Sequence, residues 1–517
     1  MHSTRRYLLD RVHLRPCLLV SAMTLALDAT ALASPPAGRD LGPAAVRATV
    51  NVTSCADDGS SGTLRYQVAH APDFSTVEMH SDELQCTITL ETGEIVVPQN
   101  HIVIRNDGTS SQSIDARSLS RVFRHTGDGY MTVIGLDLNN GTAKYSTDGQ
   151  LAAGGCIQSD SSVFVFYTVM NRCAAINVAG PAAGGAISAP NQIEVAGSTI
   201  TASQAEGTRA IGGAVYAGLY LNINHSTVSG NQVVSDDSGA YAYARGGGAY
   251  SRNYLKVEYS LIQGNSAIAN NGIAEGGGLV SNTEFECRYG VSIVGNVAAS
   301  PGSNGGGFVA HGHSYVYYSL IAYNQAVNNS AGVFTGDGNL HGMAHLAEST
   351  ISNNVATTGS SAIFTSTTLD VFNSTIAFNT AAGSSAGLYL YPGGDADIES
   401  TIISNNTSSS AATSYDLVAR AAVVGDHDLI VNAAAALPPD TLRIDPELVP
   451  LQDNGGFTLT HALSPASAAI DAGSNPVPHR LDQRFAPDFP RVYGAAADIG
   501  AFELGSADGI FGNGFDP

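Results

Sequence analysis

Histidine, tyrosine and aspartate residues recur at matched distances before a repeated asparagine, and they offer the clearest chemistry in this sequence. The candidate set shares these register positions and comprises His311, His313, Tyr315, His341, His345 and Asp370. Histidines two residues apart on one strand, or on adjacent strands, could share a metal ion, or one could act as a general base. A polar surface column that arose by chance is the alternative, and we favour it. We therefore assign no firm catalytic or metal-binding residue.

Motifs for other chemistries are absent from the sequence. It has no Gly-x-Ser-x-Gly nucleophile motif, no phosphate-binding glycine loop and no His-Glu-x-x-His zinc motif. The one acid pair within the asparagine repeats is Asp236-Asp237, in a Ser/Asp-rich stretch that we interpret as a solvated loop. A glycoside hydrolase pattern is therefore not evident. We predict no cofactor, with a calcium ion left open.

The elements that must position these residues are internal repeats. A phrase close to Ser-Thr-Ile-x-x-Asn ends at Asn231, Asn265, Asn296, Asn324, Asn354, Asn379 and Asn405. A second phrase, beginning with paired glycines, keeps step with it at residues 184–187, 212–215, 247–250, 277–280 and 306–309. Successive asparagines lie 25 to 34 residues apart. A sustained period of that size indicates stacked structural units.

Each repeat is predicted to form short strands separated by Gly or Asn turns. Three residues before the asparagine every copy has Val or Ile, and five before it six of the seven copies have Ser. These two columns should point inward as ladders, and the column of Tyr315 and His345 should face outward. The asparagine itself is expected in a turn. A repeat of this length can form one coil that stacks on the previous coil at ~4.8 Å. This describes a β-solenoid better than a β-propeller, whose blades need longer repeats.

The two repeated phrases resemble the repeats of polymorphic outer-membrane proteins and, more broadly, the pectin-lyase-like proteins. This resemblance implies an all-β fold, a right-handed single-stranded parallel β-helix, which we place at residues 91–435. Because the shared phrases are short, they specify the fold better than the function.

Residues 34–90 are assigned to an N-terminal cap. Cys55 and the later Thr63-Leu-Arg65 resemble the Cys-Ser-Leu-Arg-Glu-Ala cap segment of secreted β-helix proteins, with looser spacing. Thr63 can begin a short amphipathic helix in which Leu64 and Val68 face inward. Such a helical cap would cover the strand edges that the first coil otherwise exposes.

Five cysteines follow the predicted signal peptide. In an exported protein the nearby pairs Cys55–Cys86 and Cys156–Cys173 are expected to form disulfides, the first more firmly than the second. This leaves Cys287 alone, either free or paired between chains. No Cys/His spacing suggests a zinc site.

Residues 436–504 resemble the choice-of-anchor Q domain that follows bacterial surface β-helices. The resemblance rests on several fixed phrases, among them Asp482-Gln-Arg484, Arg491 and Asp498-Ile-Gly-Ala-Phe-Glu503. The end of the chain, residues 505–517, looks like the short sorting tails of some secreted proteins, and a frayed terminus is the alternative. The resemblance implies where the protein belongs and not what it touches.

The first 33 residues predict a signal peptide. Four arginines precede a short apolar run, and Ala31-Leu-Ala33 offers a small-x-small cleavage site. No later apolar run is long enough for a transmembrane helix. The net charge of −22 argues against nucleic acid, anionic lipid and unbridged acidic polysaccharides as partners. We expect an exported monomer, extracellular or on the outer-membrane surface of a Gram-negative-type bacterium.

Two functional hypotheses follow. The first is a non-enzymatic secreted or surface-displayed β-helix protein that serves adhesion and contacts a glycan, a protein or another surface with its long exposed sheets. The second is a polysaccharide-active enzyme, a lyase or a hydrolase, that uses the outward histidine and tyrosine patch. We favour the first.

Overall fold

The computed structural model describes residues 48–236, 242–336, 342–392, 394–409 and 413–505. All of them belong to one compact unit, Val46–Pro517. The predicted signal peptide, Asp237, His341 and the predicted sorting tail beyond residue 505 lie outside the described residues.

One coil illustrates the whole architecture. Its strands follow in the order Ser162–Phe166, Val169–Asn171, Ala174–Asn177, Ala182–Ala183 and Ile187–Ala189. Each strand pairs in parallel with the equivalent strand one coil later, so the five positions build five sheets, numbered 1 to 5 in that order. The described chain makes about 13 turns, not all of which contribute a strand to every sheet. The prediction of an all-β parallel solenoid is therefore confirmed.

The strands of each sheet run in chain order. Sheet 1 contains Thr49–Val52, Ser75–Met79, His101–Asn106, Tyr130–Ile134, Ser162–Phe166, Gln192–Ala196, Tyr220–Asn224, Tyr254–Glu258, Glu284–Arg288, His313–Tyr317, Met343–Ala347, Thr368–Phe372, Ala396–Glu399 and Val423–Val424. Sheet 2 contains Ile88–Thr89, Gln112–Asp115, Leu136–Asn139, Val169–Asn171, Thr199–Thr201, Thr227–Ser229, Leu261–Gln263, Ser292–Val294, Leu320–Ala322, Thr350–Ser352, Thr375–Ala377, Ile402–Ser404 and Leu429–Ile430.

The remaining sheets differ in length. Sheet 3 contains Thr142–Tyr145, Ala174–Asn177, Gln204–Gly207, Gln232–Ser235, Ser266–Ala269, Val297–Ala299, Gln325–Ala326, Val355–Ala356, Thr380–Ala381 and Thr407–Ser408. Sheet 4 contains Ala152–Ala153, Ala182–Ala183, Arg209–Ile211, Tyr243–Arg245 and Ile273–Glu275. Sheet 5 contains Ile95–Val97, Phe123–His125, Ile157–Ser159, Ile187–Ala189, Val215–Ala217, Ala249–Ser251, Leu279–Ser281, Phe308–Ala310, Val333–Thr335, Ile363–Thr365, Ser385–Leu390, Tyr415–Ala419 and Ala433–Ala434.

The inward Val and Ile column of sheet 2 follows the predicted register except in the last copy. Val228 pairs with Ile262, and the column continues through coils whose isoleucines are fully buried. In the last copy Ile403, not Ile402, pairs with Ile376. The register moves by one residue because Ser400 and Asn405 occupy the positive-φ turns that the repeat would assign to the preceding residues.

In six of the seven copies the repeated asparagine is not the turn residue, which corrects the expectation from sequence. The turn is formed by the residue before it, as at Gly230 and Gly264, both of which have positive φ. Asn265 itself is fully buried. Its Nδ2 donates to the Val228 carbonyl at 2.9 Å and to Oδ1 of Asn296 at 3.0 Å. Because the interior offers no water, the side chain satisfies backbone and amide groups that would be costly to leave unpaired.

This arrangement repeats as a ladder of amide side chains. The backbone N–H and the Nδ2 of each asparagine both donate to Oδ1 of the next, and the ladder consists of Asn231, Asn265, Asn296, Asn324, Asn354, Asn379 and Asn406. It ends at Asp416, whose Oδ1 accepts from Asn406 at 2.9 Å.

Two helices lie near the start of the described chain, at Leu64–His70 and Ser81–Leu84. The Thr63 side chain caps the first helix by accepting from the backbone N–H of Tyr66, and Leu64 and Val68 are fully buried. A short amphipathic helix is therefore present where the sequence predicts one. That it shields the end of the solenoid stays a prediction.

The cysteines pair as predicted. Cys55 bonds to Cys86, and Cys156 bonds to Cys173. Cys287 is free and fully buried, on the inward side of sheet 1.

Residues 436–505, which we call the strap, return along the outside of sheet 2. The Thr350 hydroxyl donates to Oε1 of Gln483, and the Ala501 N–H donates to the Thr375 hydroxyl at 3.1 Å. The strap therefore lies against the solenoid itself. Under it, every residue of the strands Leu320–Ala322, Thr350–Ser352, Thr375–Ala377 and Ile402–Ser404 is buried.

Among the described residues, no helix is long and apolar enough to cross a membrane.

Candidate functional site

The outward face of sheet 1 holds most of the candidate patch. The register places Lys256 beside Glu286, Glu286 beside Tyr315, Tyr315 beside His345, and His345 beside Asp370. All five side chains are partly exposed. The prediction that Tyr315, His345 and Asp370 occupy one outward column is confirmed, because the period-two rule holds along each of these strands.

Several charged side chains on this face are paired. Lys256 Nζ lies 2.9 Å from Glu258, and Arg288 lies 3.0 Å from Glu286. The Tyr254 hydroxyl also hydrogen-bonds to Glu286; burial, reinforced by that carboxylate, raises the pKa of Tyr254. The face therefore presents hydrogen-bond donors and acceptors, together with positive and negative charges, in regular rows.

Within the patch, His345 lies next to both a carboxylate and a phenol. Its Nδ1 lies 3.4 Å from Asp370 Oδ2, and its ring centroid is 5.2 Å from that of Tyr317. Burial raises the pKa of Tyr317 to about 12, so its phenol stays protonated at neutral pH. His313, at the start of its strand, is exposed, and its ring lies 6.4 Å from that of Tyr315.

His311 does not join this column. Its Nε2 lies 3.2 Å from Oε2 of Glu275, which belongs to sheet 4 on another side of the coil. The structure therefore separates His311 from His313 and His345, while His341 lies outside the described residues. A single patch of four histidines is not what the described part of the chain displays.

His311 leads to a second surface, at which the outer faces of sheets 4 and 5 meet. On sheet 4 the register stacks Ile211, Arg245 and Glu275. On sheet 5 it stacks outward side chains that are aromatic or aliphatic, namely Tyr216, Tyr250, Val280, Val309 and Phe334. Ile211 packs against this second row although it comes from the other sheet. We call this concave junction the corner.

A third row borders the corner on the far edge of sheet 5. Its members each follow a sheet 5 strand, and they are Gly218, Arg252, Asn282 and His311. Backbone hydrogen bonds hold consecutive members one coil apart, with the N–H of Asn282 donating to the Ser251 carbonyl and that of His311 donating to the Ser281 carbonyl. The corner therefore has a polar wall, an apolar wall and a polar edge.

Glu275 ties these walls together. The Arg245 guanidinium lies 2.8 Å from its carboxylate, and His311 approaches the same oxygen from the sheet 5 edge. Burial alone would raise the pKa of Glu275, but the hydrogen bond from His311 and the charge of Arg245 bring it below its usual value. The carboxylate is therefore ionised and neutralised in place.

Aromatic rings complete the corner. The rings of Tyr216 and Tyr250 lie 6.0 Å apart and nearly parallel, and the Arg245 guanidinium lies 5.0 Å from the centre of the Tyr243 ring. The Tyr250 hydroxyl accepts a hydrogen bond from Asn282 Nδ2 at 2.7 Å. Burial raises the pKa of Tyr216, and the positive charge of Arg252 opposes that rise.

The glycine phrases carry the signal for the corner, but an alignment on their paired glycines is one residue out of step with the strand register. In the structure Val215 pairs with Ala249 and Tyr216 pairs with Tyr250, whereas the phrases had matched Val215 with Tyr250. The positive-φ residue is the first of three consecutive small residues, as at Gly246, where a Cβ would lie 2.3 Å from the Ala249 carbonyl oxygen. Aligning on that residue would have revealed the outward aromatic row.

Within the described ranges, no group of three or more His, Cys, Asp and Glu side chains is arranged to hold a metal ion. Compared with models of protein families and with curated proteins, the chain shows no match.

Proposed function

We propose that this chain is an exported surface protein that contacts carbohydrate through the outward face of sheet 1 and does not cleave it. The observation that carries the proposal is the regular column of Lys256, Glu286, Tyr315, His345 and Asp370, all partly exposed. Polar groups repeated at ~4.8 Å along a rod suit a repetitive polar polymer better than one small substrate.

The rows on this face offer hydrogen bonds of both kinds. Carboxylates accept, while the Lys256 ammonium, the Arg288 guanidinium and the tyrosine hydroxyls donate. Sugar hydroxyls do both, so a glycan can use the whole face. Because Lys256 is paired with Glu258 and Arg288 with Glu286, binding a neutral chain there does not require desolvation of an isolated cation.

Export and display at a cell surface are supported by the signal-peptide pattern, the two disulfides and the resemblance of residues 436–504 to an anchoring domain. Extracellular or outer-membrane location and a role in adhesion remain part of the proposal. So does the right-handed sense of the coil.

A second candidate function is favoured by one contact. Asp370 lies beside His345 Nδ1 and could orient that ring as a general base in a polysaccharide lyase or hydrolase. It is the weaker candidate, because His311, one of the histidines predicted to join it, faces the corner.

Binding and product release should be measured together on a panel of neutral and acidic glycans. The double variant Lys256→Ala, Tyr315→Ala should weaken binding, and Gln232→Ala on the outward side of sheet 3 should not. Equal binding by all three proteins would refute the sheet 1 assignment. Release of reducing ends or unsaturated sugars that disappears in His345→Ala would replace the binding proposal with the enzymatic one.

A further inference from the structure

We propose that the corner between sheets 4 and 5 is a separate binding site for a sugar that carries a carboxylate. In this site Arg252 and Arg209 would receive the carboxylate, and Tyr216 would contact the sugar ring. The site is independent of the proposed contact through sheet 1.

The charge at the corner is opposite to that of the chain. The protein has a net charge of −22, yet Arg209, Arg245, Arg252 and His311 lie on the rows that form the corner, and Arg245 and His311 share one acid, Glu275. Arg245 already neutralises Glu275, so that acid does not offset the charges of the other two arginines. Arg209 and Arg252 are exposed and form no ion pair within the described ranges.

The corner also supplies the fixed surroundings that a site requires. Glu275 is only 6% exposed and holds Arg245 in place, and Arg245 in turn lies over the Tyr243 ring. Arg209 precedes Tyr243 in the same outward column of sheet 4. The surface beneath an incoming ligand is therefore ordered before binding, which reduces the entropy cost of association.

The apolar wall matches the other half of such a ligand. Tyr216 is partly exposed, and its ring stacks on that of Tyr250, which Asn282 holds in place. On the edge row the residue one coil before Arg252 is Gly218, so no side chain projects over Tyr216 from that position. A pyranose ring has apolar C–H faces and polar rims, and its carboxylate would reach the guanidinium groups, which form strong charge-assisted hydrogen bonds.

The negative charge of the whole chain limits which acidic ligands can bind. Interactions among exposed charges fade beyond a Debye length of about 10 Å at 0.1 M salt. A short oligosaccharide can keep its carboxylate near Arg252, whereas a long polyanion extends over the acidic surface and is repelled. The site should therefore prefer short or sparsely charged acidic glycans.

The test compares a tetrasaccharide of alternating glucuronate and N-acetylglucosamine with the same compound after its carboxylates are reduced to alcohols. Calorimetry or ligand-observed NMR on the exported protein should show binding of the acidic form and at least about tenfold weaker binding of the reduced form. Arg252→Gln should weaken binding of the acidic form by about tenfold. Arg420→Gln, an exposed arginine at the equivalent edge position of a late coil, should leave it unchanged.

Equal affinity for the acidic and reduced compounds, no binding of the acidic one, or no effect of Arg252→Gln would each overturn the proposal. Tighter binding of a glucose sulfate ester than of glucuronate would overturn the carboxylate assignment. The double variant of sheet 1 serves as the second control. Its loss of neutral-glycan binding with corner binding intact would keep the two sites separate, and loss of both together would refute their independence.

Discussion

Sheets 1 and 2 are adjacent sides of the same coils, yet their outward faces have opposite environments in the C-terminal half of the solenoid. On sheet 1, Tyr315, His345 and Asp370 are partly exposed. On sheet 2, Thr350 and Thr375 are buried by the strap and hydrogen-bond to it. The difference shows that one regular scaffold can reserve one side for its own chain and leave the next for a partner.

Side-chain size accounts for part of this difference. At several positions the covered face carries small hydroxyl and methyl groups, so the strap backbone can approach closely, as Gly500 does when its N–H donates to the Ser400 carbonyl at 2.9 Å. Larger contacts are made by Ile402, which packs among apolar residues of the strap, and by the turn between the two sheets. There the Phe485 ring lies 4.8 Å from Tyr289 and 4.6 Å from Tyr318.

Buried ion pairs account for another part of the difference between the two faces. Glu348 and Arg491 are both almost fully buried, with Arg491 Nε 3.6 Å and His479 Nδ1 3.4 Å from the same oxygen of the Glu348 carboxylate. Within the strap, Arg484 donates to Asp482 at 2.7 Å and lies between the rings of Phe489 and Phe502. The phrases that resemble the anchor domain therefore supply its internal ion pairs.

The largest effect is expected from Arg491→Met. It leaves the Glu348 carboxylate buried without its cation, so unfolding free energy should fall by about 3–5 kcal/mol, and the strap should become sensitive to protease. Denaturant unfolding and limited proteolysis measure this. Arg420→Met is the exposed control. Adding Glu348→Gln to Arg491→Met should restore part of the stability, and no restoration would argue against the pair as the cause.

A matched pair of substitutions tests the covered face directly. Thr227 and Thr350 belong to the same outward column of sheet 2, but Thr227 is partly exposed and Thr350 is buried. Thr350→Lys should cost about 2–4 kcal/mol through overpacking and the lost hydrogen bond to Gln483, whereas Thr227→Lys should cost little. Similar melting temperatures for the two variants would contradict the proposed role of the strap.

A smaller effect should appear as a dependence of strap stability on pH. Burial raises the pKa of Glu503 to about 7, and it raises the pKa of Asp498 as well. A raised folded-state pKa means that stability is greatest below the unfolded pKa and is lost as pH rises towards the folded value. Melting temperature should therefore fall between about pH 4.5 and 7. Glu503→Gln should flatten this slope, and an unchanged slope would assign it to the other acids.

The smallest expected change uses Cys287 as a reporter. Burial raises the pKa of its thiol to about 12, so alkylating reagents should not label it in the native protein. The labelling rate of Cys287 in Arg491→Met distinguishes release of the strap alone from opening of the coils. An unchanged rate means that the strap leaves while the coils stay closed. A rate that rises in step with proteolysis means that the coils open with it, and the two faces are not independent.

Local rules were enough to predict much of this molecule. The inward Val and Ile column, both disulfides and the outward position of Tyr315 and His345 follow from spacing and period alone. Failures occurred where a single residue decides the register. The repeated phrase ends at Asn405, although Asn406 is the residue that joins the ladder. The glycine phrases match Tyr250 with Val215, although Tyr250 pairs with Tyr216. Because side chains alternate, a slip of one residue exchanges the inside and the outside of a strand.

The strap could not have been predicted in the same way. Some of its contacts join residues more than 100 positions apart, such as Ser352 with His461 at 2.8 Å, and no periodic pattern links them. The corner depends on the angle between two sheets, which strand patterning does not encode.

The asparagine ladder sets rules for how such a protein can change its length. Each amide bonds only to its neighbours on the two adjacent coils, so inserting or deleting one complete coil reproduces contacts that already exist. A partial coil would leave a buried amide unmatched. The strap adds a second constraint on length. It hydrogen-bonds to residues of the solenoid from Thr350 to Ser400, which fixes the number of coils between them. Variation in length among related chains should therefore be confined to whole coils on the N-terminal side of the strap.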